Sequence, residues 1–235
     1  MKVIILAGGL GTRISEETET KPKPMILLDN RPIIWHIMNI YASQGFTEFI
    51  IAAGYKSEVI QNWVNYYLEE KWSVKVLDTG LNTQTATRLL KCMELVPNER
   101  VMATYGDGLG NINISKLLEF HEKMQCIATV TAVRPPSRFG VMESLNGKVV
   151  HFGEKIQTDS GWINGGFFVL DSAVRDFLIG NNTSFELTSL PKLTQKNQLA
   201  SFEHNGFWHP MDTLREKNLL SAMVQDKTLP WTKYI

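Results

Sequence analysis

The feature that most restricts the fold is an alternation, through the first hundred residues, of short β-branched apolar runs with segments of helical period. Residues 1–7 (Met-Lys-Val-Ile-Ile-Leu-Ala), 49–54 and 74–77 have the character of buried strands. Between them apolar residues recur at 33, 34, 37, 38 and 41, and again at 59, 60, 63, 64 and 67, the spacing of one helix face. Pro32 suits a first helical turn and Gly45 a helix end. A further helix is expected over 85–95 and a fourth strand over 101–104, so the pattern predicts an α/β fold on a parallel sheet.

Parallel α/β sheets bind ligands beyond the carboxyl ends of their strands. The first strand runs into Gly8-Gly9-Leu10-Gly11-Thr12-Arg13 and the fourth into Tyr105-Gly106-Asp107-Gly108, which puts both segments on one rim by topology alone. Glycines let backbone N–H groups approach an anion without a Cβ in the way, and Arg13 and Lys23 add positive charge. A dinucleotide fingerprint would need glycine where Ile14 stands, and no Gly-Lys-Ser/Thr closes a P-loop here. Taken singly, each feature also has a plainer reading: a tight connection for the loop, a turn aspartate for Asp107, solvated surface charges for Arg13 and Lys23.

Beyond Ile127 the pattern changes to strands at 127–133, 141–143 and 149–152, the last two joined by an Asn146-Gly147 turn, which reads as a meander. A buried strand at 167–170 and a helix at 213–224 follow. There is no repeat, low-complexity tract or linker, and 235 residues can bury one sizeable core, so a single domain over 1–235 is expected. The 24 basic and 24 acidic residues cancel, which argues against a nucleic-acid groove or an anionic membrane surface and for a small ligand. Two cysteines, Cys92 and Cys126, exclude a Cys₄ zinc site and a disulfide scaffold, and both read as buried packing residues. With no secretory signal before the first strand and no apolar run near the roughly 20 residues that span a bilayer, the cytoplasm is the expected location.

The glycine loop together with Lys21-Pro22-Lys23-Pro24-Met25 resembles the signature of the sugar-1-phosphate nucleotidyltransferases. Thr104-Tyr105-Gly106-Asp107-Gly108, Arg138-Phe139-Gly140, Trp162-Ile163-Asn164-Gly165-Gly166-Phe167-Phe168 and the block from Phe202 to Thr213 are similar, in order, to the glucose-1-phosphate cytidylyltransferase branch. The resemblance implies a Rossmann-like three-layer nucleotidyltransferase fold, with a mostly parallel mixed central sheet and an added antiparallel β segment. It divides the chain into a nucleotide-binding half, 1–110, and an acceptor-binding half, 111–235.

It also implies an Mg²⁺-dependent enzyme that transfers CMP from CTP to a phosphorylated acceptor, with a homo-oligomer among the family's habits. Such a reaction joins two mutually repelling anions, so it needs backbone N–H donors, fixed cations and a metal held by carboxylates. By the family pattern Leu6, Ala7, Gly8, Gly9, Gly11, Thr12, Arg13, Lys23, Arg88 and Gly106 bind the nucleotide. Arg13, Lys23 and Asp107 are catalytic, and Asp107 and Asp212 share the metal. Gly140, Glu154, Lys155 and Asn164 bind the acceptor. Arg88 as a surface cation and Glu154-Lys155 as an exposed pair are the plainer alternatives. Trp162, Trp208 and Trp231 read as packing or subunit-contact residues, and no activated serine, cysteine or histidine is apparent, which favours direct displacement.

Three departures from the family stand out. The segment 68–72 is short where the glucose enzymes insert a longer one, and Ile156 replaces a proline. In Phe185-Glu186-Leu187-Thr188-Ser189-Leu190 the family's sugar-contacting glutamate falls at Thr188, unless a neighbouring register uses Glu186. That opens a non-sugar phosphorylated acceptor as one alternative, and a catalytically silent nucleotide-sugar-binding subunit as another. The catalytic versions require Asp107 and Asp212 to lie close enough for one ion to bridge.

Overall fold

The computed structural model describes residues 1–68, 70–136, 140–154 and 161–233, with 140–143 and 151–154 described as backbone alone. The predicted alternation is present. β1 (Val3–Ala7) leads through α1 (Ser15–Thr18) and a small ribbon, β2 (Leu27–Leu28) and β3 (Arg31–Pro32), to α2 (Ile33–Ala42). β4 (Glu48–Ala53), α3 (Ser57–Tyr66), β5 (Ser73–Asp78), α4 (Thr85–Met93) and β6 (Val101–Tyr105) follow. Boundaries differ from the sequence expectation by no more than a residue or two, the usual fraying of element ends.

The second half holds β7 (Gly108–Gly110), α5 (Ile114–Met124), β8 (Ala128–Val133), the hairpin β9 (Gly140–Leu145) and β10 (Lys148–Glu154), β11 (Ile163–Asn164) and β12 (Phe168–Leu170). It ends with α6 (Arg175–Leu178), α7 (Leu190–Gln195), β13 (Leu199–His204), β14 (Trp208–Pro210) and α8 (Leu214–Gln225). The central sheet has the order β11-β8-β12-β6-β1-β4-β5, with β13 paired to β8. β6, β1, β4 and β5 are parallel neighbours, and β12 is antiparallel to both β6 and β8.

The continuous apolar character of β1 follows from its place in the middle layer. Val3, Ile5 and Ala7 belong to one core with Ile33, Ile37 and Tyr41 of α2, Ile60 of α3 and Leu220 of α8. Ile4 and Leu6 point the other way, into a core with Ala86, Leu89 and Cys92 of α4, Leu178 of α6 and Leu193 of α7. A strand covered on both faces cannot alternate apolar with polar residues.

Three sequence expectations are corrected. β8, β9 and β10 are not a meander: β9 and β10 pair only with each other among the described residues, whereas β8 is an interior strand held by β11, β12 and β13. With those partners in place β8 has no edge left for β9. The expected hairpin turn is present, Asn146 and Gly147 having φ of 51° and 79°, as a type I′ turn requires. α5 and β13 lie outside the elements the sequence predicts; α5 is capped by Asn113, whose side chain accepts from Lys116 N at 3.0 Å. Cys126 is only partly covered, in contrast to Cys92, whose thiol is pushed up to about 12 by burial.

Trp231 is 1% exposed, edge-on to His36 with centroids 5.6 Å apart, and Trp208 donates from Nε1 to Gly165 O at 2.9 Å, so both pack the interior. Trp162 is half-buried under the Arg134 guanidinium, 3.9 Å from the ring centroid. Among the described residues no helix is long and apolar enough to cross a membrane.

Candidate active site

At the carboxyl ends of β1 and β6 lies a cavity of about 620 Å³, lined by residues 6–14, Lys23, Pro24, 81–85, Arg88, 105–107 and Asp212. The loop after β1 forms one wall and the segment before α4 another. A Cβ on Gly8 would stand 2.1 Å from Nη1 of Arg88, so a side chain there would displace the guanidinium.

That contact explains Arg88. Its residue is 4% exposed, and its guanidinium donates to Gly8 O at 3.0 Å, Ala53 O at 3.0 Å, Leu81 O at 3.1 Å and to Thr79 Oγ1. Arg88 is therefore not a surface cation, although it still lines the cavity. It braces the loop after β1 against β4 and the loop after β5, fixing two walls of the cavity relative to one another.

The charged residues meet at the cavity's mouth. Asp107 follows β6, and Asp212, more than a hundred residues later, follows β14. They become neighbours because β7 and β14 form an antiparallel ribbon with Trp208 opposite Gly110 and Pro210 opposite Gly108, extended by Met211 N donating to Asp107 O at 2.8 Å. α8 begins immediately beyond. Its capping box has Glu216 Oε2 accepting from Thr213 N at 2.9 Å and from Asp212 N at 2.7 Å. Asp212 is thereby held at a helix N-terminus, where the macrodipole favours a carboxylate.

Lys23 lies on a 3-10 turn between Pro22 and Pro24, and its Nζ donates to Asp107 Oδ2 and to Asp212 Oδ1, each at 2.6 Å. Those two carboxylate oxygens are thus no more than twice that distance apart. Arg13 Nη1 donates to Asp212 Oδ2 at 2.6 Å from a side chain that is 74% exposed. Burial works to lower the Lys23 pKa, but the charge of Asp107 and the hydrogen bonds to both carboxylates outweigh it and hold the ammonium above the ordinary lysine value. Lys21 is not among the cavity's lining residues and lies 3.8 Å from Glu17.

Beyond Tyr105 a polar chain continues from the cavity. Asn164 Nδ2 donates to Tyr105 Oη at 2.9 Å, and Tyr105 donates to Glu186 Oε1 at 2.8 Å. Glu186 Oε2 accepts from Ser184 Oγ at 2.9 Å and from Thr85 Oγ1 at 2.5 Å. Burial, then the charge of Glu186, push the tyrosine phenol up, so it stays protonated and acts as the donor. Asn164 is aimed by the bulge between β11 and β12, where Gly166 has φ 76° and its N–H binds Asn164 Oδ1 at 2.9 Å.

Glu186 opens a π-helical turn, Phe185–Ser189, that buries Ser189 with its Oγ on Phe177 O at 2.8 Å. Glu186, not Thr188, thus carries the carboxylate at this end. Tyr105, Thr85 and Ser184 are further members that sequence reasoning did not single out. Gly140 and Glu154 pair across the open end of the β9–β10 hairpin as backbone; Lys155, Arg138, Phe139 and Ile156 lie outside the described residues.

Among the described residues no group of three or more His, Cys, Asp or Glu could hold a metal; Asp107 and Asp212 form a pair. Two carboxylates on an accessible rim fit a magnesium ion, which keeps several waters and uses one or two carboxylates plus phosphate oxygens.

A family model described as nucleotidyl transferase matches residues 2–227. The chain is 42% identical to the glucose-1-phosphate cytidylyltransferase of Salmonella typhimurium, with 98% of each chain covered. It is 40% identical to the probable glucose-1-phosphate cytidylyltransferase of Bacillus subtilis, with 94% of each covered. Among solved structures, a putative glucose-1-phosphate thymidylyltransferase from Bacillus anthracis superposes with a TM-score of 0.72 at 23% identity, covering 96% of each chain.

Proposed function

Because the chain belongs to the nucleotidyl transferase family, we propose that it transfers CMP from CTP to a sugar 1-phosphate, giving a CDP-sugar and pyrophosphate. The observation that carries this is the convergence of Arg13, Lys23, Asp107 and Asp212 at the mouth of the glycine-loop cavity. Cytosine and glucose 1-phosphate are taken from the names of the two cytidylyltransferase relatives.

In this scheme the backbone of residues 8–12 receives the triphosphate, with Arg88 keeping the loop open from beneath. Arg13 offers a fork to the leaving pyrophosphate, and Lys23 a point charge to the α-phosphate and the incoming oxygen. An acceptor phosphate oxygen attacks the α-phosphorus in line. The new P–O bond forms as the bond to the bridging oxygen breaks, and the electron pair leaves on pyrophosphate. The attacking oxygen is already anionic, so no general base is needed. Asp107 and Asp212 would hold Mg²⁺, which supplies charge neutralisation at the phosphates.

On the acceptor side we place Asn164 and Glu186, with Tyr105 positioning both, and Gly140, Glu154 and Lys155 from the family pattern. The non-sugar acceptor drew its support from the missing carboxylate at Thr188, and Glu186 removes that reason. A silent subunit would be expected to lack one of the four charged residues. Residues 1–110 serve the nucleotide and 111–235 the acceptor, except that Asp212 returns to the nucleotide side. We place the reaction in the cytoplasm, where nucleoside triphosphates are supplied.

The test is pyrophosphate release over a matrix of CTP, UTP, dTTP and ATP against sugar 1-phosphates and non-sugar phosphates. CTP with glucose 1-phosphate is expected to exceed the other nucleotides by about 100-fold, because a site built on hydrogen bonds rejects ligands that leave them unpaired. Silence with every combination overturns the proposal. In the same assay Glu186→Gln is expected to raise the acceptor KM by about 10- to 100-fold, hydrogen bonds to charged groups being worth about 1.5–3 kcal/mol. The KM for CTP should move less than the acceptor KM, since the hydrogen-bond partners of Glu186 among the described residues, Thr85, Tyr105 and Ser184, lie outside the glycine loop; an unchanged acceptor KM removes Glu186 from the site.

A further inference from the structure

The two carboxylates that would hold a divalent ion are already bridged by a cation of the protein itself. Lys23 Nζ takes one oxygen of Asp107 and one of Asp212, both at 2.6 Å, and Arg13 takes the second oxygen of Asp212 at 2.6 Å. Two cations face two anions, so the cluster is balanced in charge before any ligand arrives.

We propose that Lys23 holds the metal's place in the free protein, so that the ion joins only together with the triphosphate, whose oxygens draw Lys23 and Arg13 off the carboxylates; this rests on reading Asp107 and Asp212 as the metal pair. A divalent ion arriving alone meets a like charge between the carboxylates. To enter it must evict an ammonium whose side chain is only 12% exposed, leaving that ammonium without an anion. Mg²⁺ also gives up water reluctantly, so an occupied pair offers it little. A triphosphate reverses the balance: it supplies anionic partners for both cations, and the released carboxylates then need a positive charge.

The exchange needs no backbone movement. Pro24 and Met25 are buried and anchor the turn that carries Lys23, leaving only side-chain torsions to swing Nζ. The exposed Arg13 side chain swings in the same way. On the opposite side, Glu216 and the Met211–Asp107 backbone bond keep both aspartates where they are. Metal and nucleotide are therefore coupled through one lysine.

The coupling is read by titrating Mn²⁺ and following the free ion by EPR, with and without the α,β-methylene analogue of CTP, against the analogue alone in buffer. Wild-type protein is expected to bind Mn²⁺ at least about tenfold more tightly with the analogue than without it, inside the 5- to 150-fold span usual for coupled sites. Without nucleotide, Lys23→Gln is expected to bind Mn²⁺ at least about tenfold more tightly than wild type, and adding Asp107→Asn should abolish the gain. Equal nucleotide-free affinity in wild type and Lys23→Gln, or no effect of the analogue on wild type, overturns the proposal while leaving the metal pair standing. If neither protein binds Mn²⁺ beyond what the analogue binds by itself, the metal pair falls and the proposal with it.

Discussion

Lys23→Ala is expected to lower kcat by about 10²- to 10³-fold, the usual cost of removing one preorganised charge from a transition state. The fold should survive. The turn that presents Lys23 is set by Pro22 and Pro24 and by burial of Pro24 and Met25, none of which depends on the ammonium. Asp107 and Asp212 are left facing each other, but their side chains are 33% and 18% exposed, so water relieves much of the repulsion. The KM for CTP should move less than kcat, because the backbone of residues 8–12 and Arg13 still bind the phosphates. Lys23→Arg should not restore turnover: a planar guanidinium cannot replace a compact ammonium seated between two carboxylates. Steady-state kinetics beside a thermal melt separate the outcomes, and near-normal kcat in Lys23→Ala removes Lys23 from the mechanism.

The parts of the molecule legible from sequence are those whose signal is local. β1, β4 and β6 are buried on both faces or nearly so, and a strand in that position writes a short unbroken apolar run. α2 writes its buried face as Ile33, Ile34, Ile37, Met38 and Tyr41. From these the rim, the loop after β1 and the position of Asp107 follow. α5 also has a local signal, with Asn113 as its cap and Ile114, Leu117 and His121 as its buried stripe. Pairing partners are not local. Whether β9 joins β8 or folds back on β10 depends on which edges are already occupied, and the residues of β9 carry no record of that.

The same distinction divides the site. Asp212 was reachable only through family resemblance, because its approach to Asp107 depends on the register of a ribbon between β7 and β14. Arg88 carries no helical signal that its guanidinium turns beneath Gly8. Its trace lies elsewhere, in Gly8 and Gly54, where a Cβ would stand 2.1 Å and 2.5 Å from Nη1. Glu186 was ambiguous for a geometric reason: the π-helical turn at Phe185–Ser189 changes which side chains share a face, and counting along a family motif assumes a constant period.

Asp107→Asn and Asp212→Asn are each expected to lose about 10²- to 10³-fold in turnover, and the double variant to lose no more than about tenfold beyond either, because groups that act as a unit on one ion are grossly non-additive. Asparagine keeps the shape and can still accept from Lys23 Nζ, and the bonds from Asp212 N to Glu216 and from Met211 N to Asp107 O are made by backbone. What changes is charge and, at Asp212, one acceptor, because its two oxygens serve Lys23 and Arg13 and an amide can accept from only one of them. Even with Lys23 drawn to the triphosphate, one remaining carboxylate cannot hold an ion that two are needed to share, so removing the other then takes little more away. Two aspartates with separate roles, one steering Lys23 and one holding metal, would instead multiply their losses to about 10⁴- to 10⁶-fold, as independent sites do when their free energies add. Turnover measured across Mg²⁺ concentrations discriminates between the two cases, and a single Asn variant that keeps wild-type activity at low Mg²⁺ removes that aspartate from the pair.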